Sequence, residues 1–252
     1  MIDLVLIDRW IRILEYLKSK KFATVEEMME KFKISRSTLR RDLIAMEEQG
    51  HIKRTRGGAE LVEQIKDNIE WISLAEIFKN KKDEKNKIAK KASEFIKDND
   101  VIFIDSGSTC YYMIDYITAK NITVVTNGIM HIQKLMAKGI NTYILGGYAK
   151  PEQNLIIGED IVSKIKVMNF DIAFLGTMGI DSKSGFTTEL LNDGEVKRAV
   201  INSADRCFIL ADTSKFNMRR FYTYGEFSEA TVITDSKVNF KDEKLNIIYC
   251  IE

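Results

Sequence analysis

From residue 84 to its end the chain alternates short apolar runs with stretches of helical periodicity, and this alternation constrains the fold more than any other feature. The runs "VIFID", "ITVVT", "NTYILGG", "FDIAFLG", "CFILAD", "ATVITD" and "NIIYCI" have strand length and are rich in β-branched and aromatic residues. Helical stretches separate most of them, around residues 110–118, 128–138, 160–167 and 190–204. Ile88, Ala92, Phe95 and Ile96 give an amphipathic helix ahead of the first run. Strands that take turns with helices build βαβ units, so residues 84–252 are expected to form an α/β domain with a mostly parallel sheet covered on both faces.

Residues 1–62 follow a different pattern. Ile7, Trp10, Ile11, Leu14 and Leu17 recur at helical spacing, and the pattern stops before "KSKKFAT". Thr24 is placed to cap a second helix, "VEEMMEKF", with Glu27 completing a capping box. After the connection "KIS", Ser35 caps a third helix with Leu39, Leu43 and Met46 inward and Gly50 at its close. The stretch "HIKRTRGGAELV" suits a two-stranded ribbon turning near Gly57-Gly58. Three helices and a ribbon describe a small winged helix-turn-helix. Residues 63–83 read as a connector. Ile65, Ile69 and Ile72 have helical spacing, and "WISLAEIF" is apolar enough to pack on the second domain or on a partner subunit. The lysine-rich "KNKKDEKNK" reads as a solvated helix start.

Lysines and arginines number 38 against 37 acidic residues, so a nucleic-acid surface must be a local patch. Such a patch exists. Arg36, Arg40, Arg41, Lys53, Arg54 and Arg56 crowd onto the third helix and the ribbon, while Asp42, Glu47 and Glu48 lie toward the far end of the helix. With Leu39 and Leu43 facing inward, Arg36, Ser37, Arg40 and Arg41 are free to meet base edges in a major groove. Lys53, Arg54 and Arg56 would meet phosphate, and Gly57-Gly58 would allow a sharp turn and close backbone approach. The competing interpretation is a solvated charged face. One recognition helix reads only a few base pairs, so an operator-binding protein of this type is expected to be a homodimer or higher homo-oligomer. Cys110, Cys207 and Cys250 are scattered and odd in number, as free thiols in a reducing compartment would be. Two histidines, His51 and His131, give no basis for a metal site. No apolar run approaches membrane-spanning length, and the N-terminus has acids early and bases late, the reverse of a signal peptide. A soluble, cytoplasmic protein without metal or cofactor is expected.

In the second domain the strand "VIFID" runs into Ser106, Gly107, Ser108 and Thr109 and then a helix, which offers donors to an anion at a helix N-terminus. Thr126 and Asn127, and Gly146 and Gly147, follow two further strands. Ligands of parallel sheets bind at the C-terminal strand ends, where these loops could converge. Lys197 in "GEVKRAV" and Lys215 in "DTSKF" are candidate positive charges for the same site, or surface residues.

The stretch "ISRSTLRRDLIAMEEQGHIKRTRGGA" resembles the N-terminal signature of the DeoR family of bacterial transcription regulators. The match runs through Ser35, Thr38, Leu39, Arg40, Arg41, Asp42, Leu43, Gly50, Ile52, Arg54, Gly57, Gly58 and Ala59. Arg56 departs from it, since family members often have histidine there. "DSGST", "VVTNG", "LGG", "FLGTMGID", "EVKRA" and "ADTSKF" follow in the order found in the family's effector domains. The resemblance implies a ribose-5-phosphate-isomerase-like fold and a phosphorylated sugar effector. It places Asp105 through Thr109, Thr126, Asn127, Gly146, Gly147 and Lys197 in the pocket. It also implies operator DNA as partner and a repressor of a sugar or sugar-derivative catabolic operon.

Isomerisation needs a carboxylate to move a proton and a cation to stabilise an enediolate. The isomerases keep catalytic acids in a "DGADE"-like turn, followed by a lysine and a glycine run. Aligning "FLGTMGID" to that turn puts Leu175 and Met178 where the aspartates would be, and "TTELLNDGE" lacks the lysine-glycine run. A site that keeps the cradle but loses acid, base and cation is expected to sense rather than catalyse. The alternatives are an isomerase-like enzyme with an appended DNA-binding domain and an architectural nucleoid protein. The first needs the missing carboxylates, and the second needs no pocket.

Overall fold

A computed structural model describes residues 9, 13, 14, 16, 17, 20–48, 52–61, 74–150, 153–240 and 242–250. The chain divides into two compact units, Met1–Glu76 and Ile77–Glu252. Ile77 lies within the stretch read as a connector, so the last part of that stretch belongs to the second unit. Residues 63–73, Ile7, Trp10, Ile11, Gly50 and His51 lie outside the described residues.

In the first unit Arg9, Ile13, Leu14, Tyr16, Leu17 and Lys20 are helical. Phe22–Thr24 form a strand, β1, where the sequence reads as a connection, because three residues carry no measurable period. Helix α1 (Val25–Phe32) begins at the expected capping box. Glu27 N–H donates to Thr24 Oγ1 at 3.2 Å, and Thr24 N–H donates to Glu27 Oε2 at 2.8 Å. Such a cap contributes about 1 kcal/mol. The helix stops where Lys33 adopts a left-handed φ of 53°. Helix α2 (Arg36–Glu48) follows, with Ser35 Oγ accepting from Thr38 N–H at 3.2 Å. Strands β2 (Ile52–Thr55) and β3 (Gly58–Leu61) form the wing, and β1 adds to its edge in the antiparallel order β1-β3-β2. The expected two-stranded ribbon is present as β2 and β3, and β1 extends it to a three-stranded sheet. Ile13, Leu17, Met28, Leu39, Leu43, Met46 and Ile52 close the core, each side chain worth roughly 1.5–3 kcal/mol of burial.

The second unit opens with α3 (Leu74–Lys79) and α4 (Lys82–Ser93). All seven apolar runs then become parallel strands of one sheet. These are β4 (Val101–Ile104), β5 (Thr123–Thr126), β6 (Asn141–Ile144), β9 (Ile172–Gly176), β12 (Cys207–Leu210), β14 (Thr231–Thr234) and β15 (Ile247–Tyr249). Between β4 and β9 run α5 (Ser108–Tyr116), α6 (Ile129–Ala137) and α7 (Glu159–Ile165), and α8 (Leu191–Asn202) precedes β12. Side chains alternate between two cores, as the strand period requires. Phe103, Val125, Leu175 and Ile209 join α7 and α8, whereas Ile102, Ile104, Phe174 and Leu210 join α4 and α5.

Two smaller sheets escape the sequence pattern. One is the hairpin β7 (Tyr148–Lys150) with β8 (Leu155–Ile157). The other is an antiparallel set of β10 (Gly179–Asp181), β11 (Gly185–Thr188) and β13 (Tyr222–Gly225). Their segments "GID", "GFTT" and "YTYG" are short and glycine-containing, and pairing rather than propensity makes them strands.

The strand order β15-β14-β12-β9-β4-β5-β6 reverses direction between β4 and β9. Successive connections leave that point on opposite sides, and parallel sheets bind ligands at the C-terminal ends of strands that meet in this way. Asp105 and α5 follow β4, and Gly176 ends β9, so sequence and topology converge on one place.

Candidate functional site

At the start of α2 and on the wing, the cations expected to face DNA are exposed but not equivalent. Arg36 is ion-paired to Glu26 of α1. Arg54 is tied to Glu47, its Nε at 2.6 Å and its backbone N–H at 2.8 Å. Lys53 Nζ lies 4.0 Å from Glu60, and Arg41 Nε donates to Ser37 O at 3.4 Å. The Arg40 and Arg56 side chains make no hydrogen bond or ion pair among the described residues, although the Arg40 backbone is part of the helix. Exposed pairs of this kind are worth about 0–1 kcal/mol, so phosphate could displace them at little cost. Ser37 is exposed, while Ser35 and Thr38 serve the helix start.

The competing picture of a solvated charged face fails at Asp42, which is buried and takes a bidentate pair from Arg9 at 2.5 and 3.1 Å. One expectation here is corrected. Gly58 is not bare for DNA. It is buried, and a Cβ there would collide with Ala23 O and the Phe22 ring, so its smallness lets β1 join the wing. Gly57, with φ of 94°, is the residue that makes the turn.

At these strand ends of the second unit, α5 begins at Gly107 without a side-chain cap. Tyr111 N–H is the first to bond back into the helix, at 3.0 Å from Gly107 O. The N–H groups of Ser108, Thr109 and Cys110 thus have no intrahelical acceptor, and with the hydroxyls of Ser106, Ser108 and Thr109 they are donors of the kind an anion cradle requires. The register Ile104↔Thr126 sets Asp105 beside Asn127 at adjacent strand ends. Asn127 is fully buried, and neither atom of its amide has a hydrogen-bond partner. Buried amides are nearly always satisfied, so an orphaned one at a strand end is a candidate contact for a bound molecule. Asp105 Oδ1 is likewise unpartnered. Its Oδ2 accepts from Gly176 N–H at 2.8 Å and lies 3.4 Å from Lys197 Nζ.

Lys197 also bonds Asp193 one helical turn earlier on α8, and Thr188 Oγ1 donates to the same carboxylate at 3.0 Å. Burial alone would lower the Lys197 pKa, but Asp105 and Asp193 together raise it. Burial pushes the Asp193 carboxyl up, with Lys197 opposing. One buried ammonium thus stands between two carboxylates. This overturns the expectation of a site without acid or cation. The acid comes from the start of α8, not from the turn "FLGTMGID", and the Asp193–Lys197 spacing of four on a helix was the signal that could have revealed it. It also changes the part given to Lys197. Its charge is already neutralised inside the protein, so the cluster cannot supply net positive charge to a phosphate; it offers acceptors to hydroxyl groups.

The other predicted pocket residues divide. Ser106 and Gly107 are half-buried, and Ser108 and Thr109 are buried beside Asp105. Thr126 is buried, but its hydroxyl is occupied as scaffold, donating to Ile104 O at 2.6 Å and accepting from Gly128 N–H at 3.0 Å. Gly147 is bare because Ile157 of β8 lies against it, whereas Gly146 is exposed and its Cβ position faces open space. Lys215 sits half-buried beyond β12, in the electrostatic neighbourhood of Asp212 and Lys85.

Sequence reasoning missed Asn154 and His131. Asn154 Nδ2 donates to Ser106 O at 2.8 Å and its Oδ1 accepts from Met130 N–H at 2.7 Å, which fixes the loop to α6. His131 is fully buried, 3.4 Å from that amide. Burial pushes its pKa down to about 3. The ring is neutral in the folded unit, while an unfolded histidine takes a proton below about 6.5. Stability from this source is therefore intact above pH 6.5 and is lost as pH falls toward 3. The second unit should lose about 2 kcal/mol between pH 7.5 and pH 5. Urea unfolding of wild type and His131→Phe at both pH values checks this, the variant showing the flatter profile.

Residues 80–236 match the family model for the DeoR C-terminal sensor domain, and residues 9–65 match the DeoR-like helix-turn-helix domain. The chain is 38% identical to the uncharacterized HTH-type transcriptional regulator FruR of Bacillus subtilis, over 88% of each chain. It is 36% identical to the HTH-type transcriptional repressor GlcR of the same organism, over 92% of this chain and 89% of that one. It is 31% identical to the glycerol-3-phosphate regulon repressor of Escherichia coli, over 89% and 88%. Ribose 5-phosphate isomerase from Plasmodium falciparum superposes on 52% of each chain with a TM-score of 0.39 and 21% identity.

Proposed function

The chain belongs to the DeoR family of transcriptional regulators, and from that premise we propose that it is a cytoplasmic repressor of a sugar or sugar-derivative catabolic operon whose operator affinity is set by a phosphorylated sugar. The winged helix binds the operator as part of at least a dimer, with Arg40 and Arg41 reading bases and Lys53, Arg54 and Arg56 holding phosphate. The effector's phosphate sits on the N–H groups of Ser108, Thr109 and Cys110, and its hydroxyls meet Asn127 and Asp105.

The observation that carries the effector assignment is the buried Asn127 amide with both atoms unpartnered, beside the uncapped start of α5. The relatives named for repressing a glycerol-3-phosphate regulon and, in Lactococcus lactis, a lactose phosphotransferase system support a phosphorylated carbohydrate. The isomerase alternative is not favoured. Lys197 is shared between two carboxylates rather than facing a substrate, and the relatives are regulators. No aldose–ketose turnover is expected.

A thermal-shift screen of sugar phosphates against the same sugars without phosphate tests the proposal. A phosphorylated member should raise the melting temperature, and its unphosphorylated counterpart should not. Asn127→Ala and Ser108→Asp should each remove the shift, the second by repelling the anion, while operator binding without ligand persists. Equal shifts in wild type and both variants would place the effector elsewhere.

A further inference from the structure

The first turn of the second unit is held by the same helix that carries the anion cradle. Ile77 and Phe78 stand where the chain arrives from the winged helix. Tyr112 Oη, on the second turn of α5, donates to Phe78 O at 3.0 Å. The Phe78 ring packs edge-on against Tyr111 and Tyr112, with centroids 4.9 and 6.1 Å apart. Lys85 is buried and donates to Ile77 O, capping the last turn of α3.

Tyr111 has two further partners. The Lys134 ammonium sits 3.8 Å from its ring centroid while donating to Tyr111 O at 3.1 Å and to Asp115 at 2.6 Å. The His131 ring meets Tyr111 edge-on at 5.6 Å. His131 adjoins Asn154, which holds Ser106 of the cradle. Two routes therefore lead from the cradle to Phe78, one along α5 itself and one through Asn154, His131 and Tyr111. Tyr112 lies four residues beyond Ser108, about one helical turn.

We propose that Phe78, gripped by Tyr111 and Tyr112, is the positioning residue through which occupancy of the α5 N-terminus is passed to the chain leading to the winged helix. This rests on the effector site proposed above. An anion that binds Ser108, Thr109 and Cys110 orders the first turn of α5. Because α5 is a hydrogen-bonded rod of nine residues, its second turn and the Phe78 latch are ordered with it. A ligand shifts operator affinity only through such a difference between two states.

The test is amide hydrogen exchange on the full-length protein with and without millimolar inorganic phosphate. In wild type, phosphate should slow exchange at Ser108–Cys110 and, several-fold, at Ile77–Lys79. Phe78→Ala should keep the first protection and lose the second. Tyr112→Phe retains the ring and removes only the hydroxyl, and should lose much of the second protection in a folded protein. Protection of Ser108–Cys110 without any change at Ile77–Lys79 in wild type would overturn the latch and leave the effector site standing. No protection at either place would overturn the anion site and the latch together. A merely structural Phe78 would alter exchange equally with and without phosphate, and that result also sinks the proposal.

Discussion

In the double variant Arg40→Ala/Arg41→Ala, operator affinity is expected to fall by about 2–6 kcal/mol, taking about 1–3 kcal/mol for each arginine that reads a guanine. Both side chains are exposed on the first half of α2, and neither contributes to the buried face formed by Leu39, Leu43 and Met46. The loss should therefore appear in DNA binding and not in the melting of the first unit. The wing should respond differently. Lys53→Ala or Arg56→Ala should weaken all sequences alike and reduce the salt slope by about one. Arg54→Ala combines two effects, since it also removes the side-chain bond to Glu47 and leaves only the backbone one. Fluorescence anisotropy with operator and scrambled duplexes at several salt concentrations separates these cases. Unchanged operator affinity in a folded double variant would remove α2 as the recognition helix.

The second large effect is expected at Lys197. Replacing it by methionine keeps most of the unbranched side chain and deletes the ammonium between Asp105 and Asp193, both of them buried. Breaking a buried pair by removing one partner typically costs about 3–5 kcal/mol, because the remaining charge is left in a low-dielectric interior. Here two carboxylates would be left together, so one must bind a proton. The second unit of Lys197→Met should thus be destabilised by that amount at neutral pH and recover partly as pH is lowered. Adding Asp193→Asn removes one of the two acids and should restore much of the loss. Urea unfolding of wild type, Lys197→Met, Asp193→Asn and the double variant forms a cycle in which strong coupling is the expected outcome. Additive losses would show that Lys197 and Asp193 do not depend on each other. A stable Lys197→Met that binds operator but ignores sugar phosphates would return Lys197 to the role of phosphate counter-ion.

The winged helix was legible because its signals are local. The Thr24–Glu27 capping box, the Ser35 cap and the apolar spacing of α2 each act within one or two helical turns. The seven strands of the large sheet were legible for a related reason. A strand buried on both faces must be apolar throughout, and that demand is written into runs such as "VIFID" and "FDIAFLG". The small sheets were not legible. Residues such as Gly179–Asp181 and Tyr222–Gly225 acquire their pairing from distant segments. The same distance hid Asp193. Its partner Lys197 is four residues away, but the carboxylate that completes the cluster, Asp105, is contributed by another strand end.

By itself the sequence determined where helices start, which runs enter a parallel sheet, and which loop leads into a helix with bare donors. It also placed the chain among a family with that order of motifs. These are properties of neighbours along the chain, and the free energies that set them are those of capping, periodicity and local burial. Only the tertiary structure decided which charges are spent and which remain available. Arg36 and Arg54 are paired while Arg40 and Arg56 are exposed. Thr126 is consumed as scaffold while Asn127 beside it is unpartnered, and Lys197 is neutralised by two acids. Electrostatic and hydrogen-bond satisfaction depends on distances of about 3 Å between groups that the chain brings together from far apart. No pattern within a single segment specifies those distances.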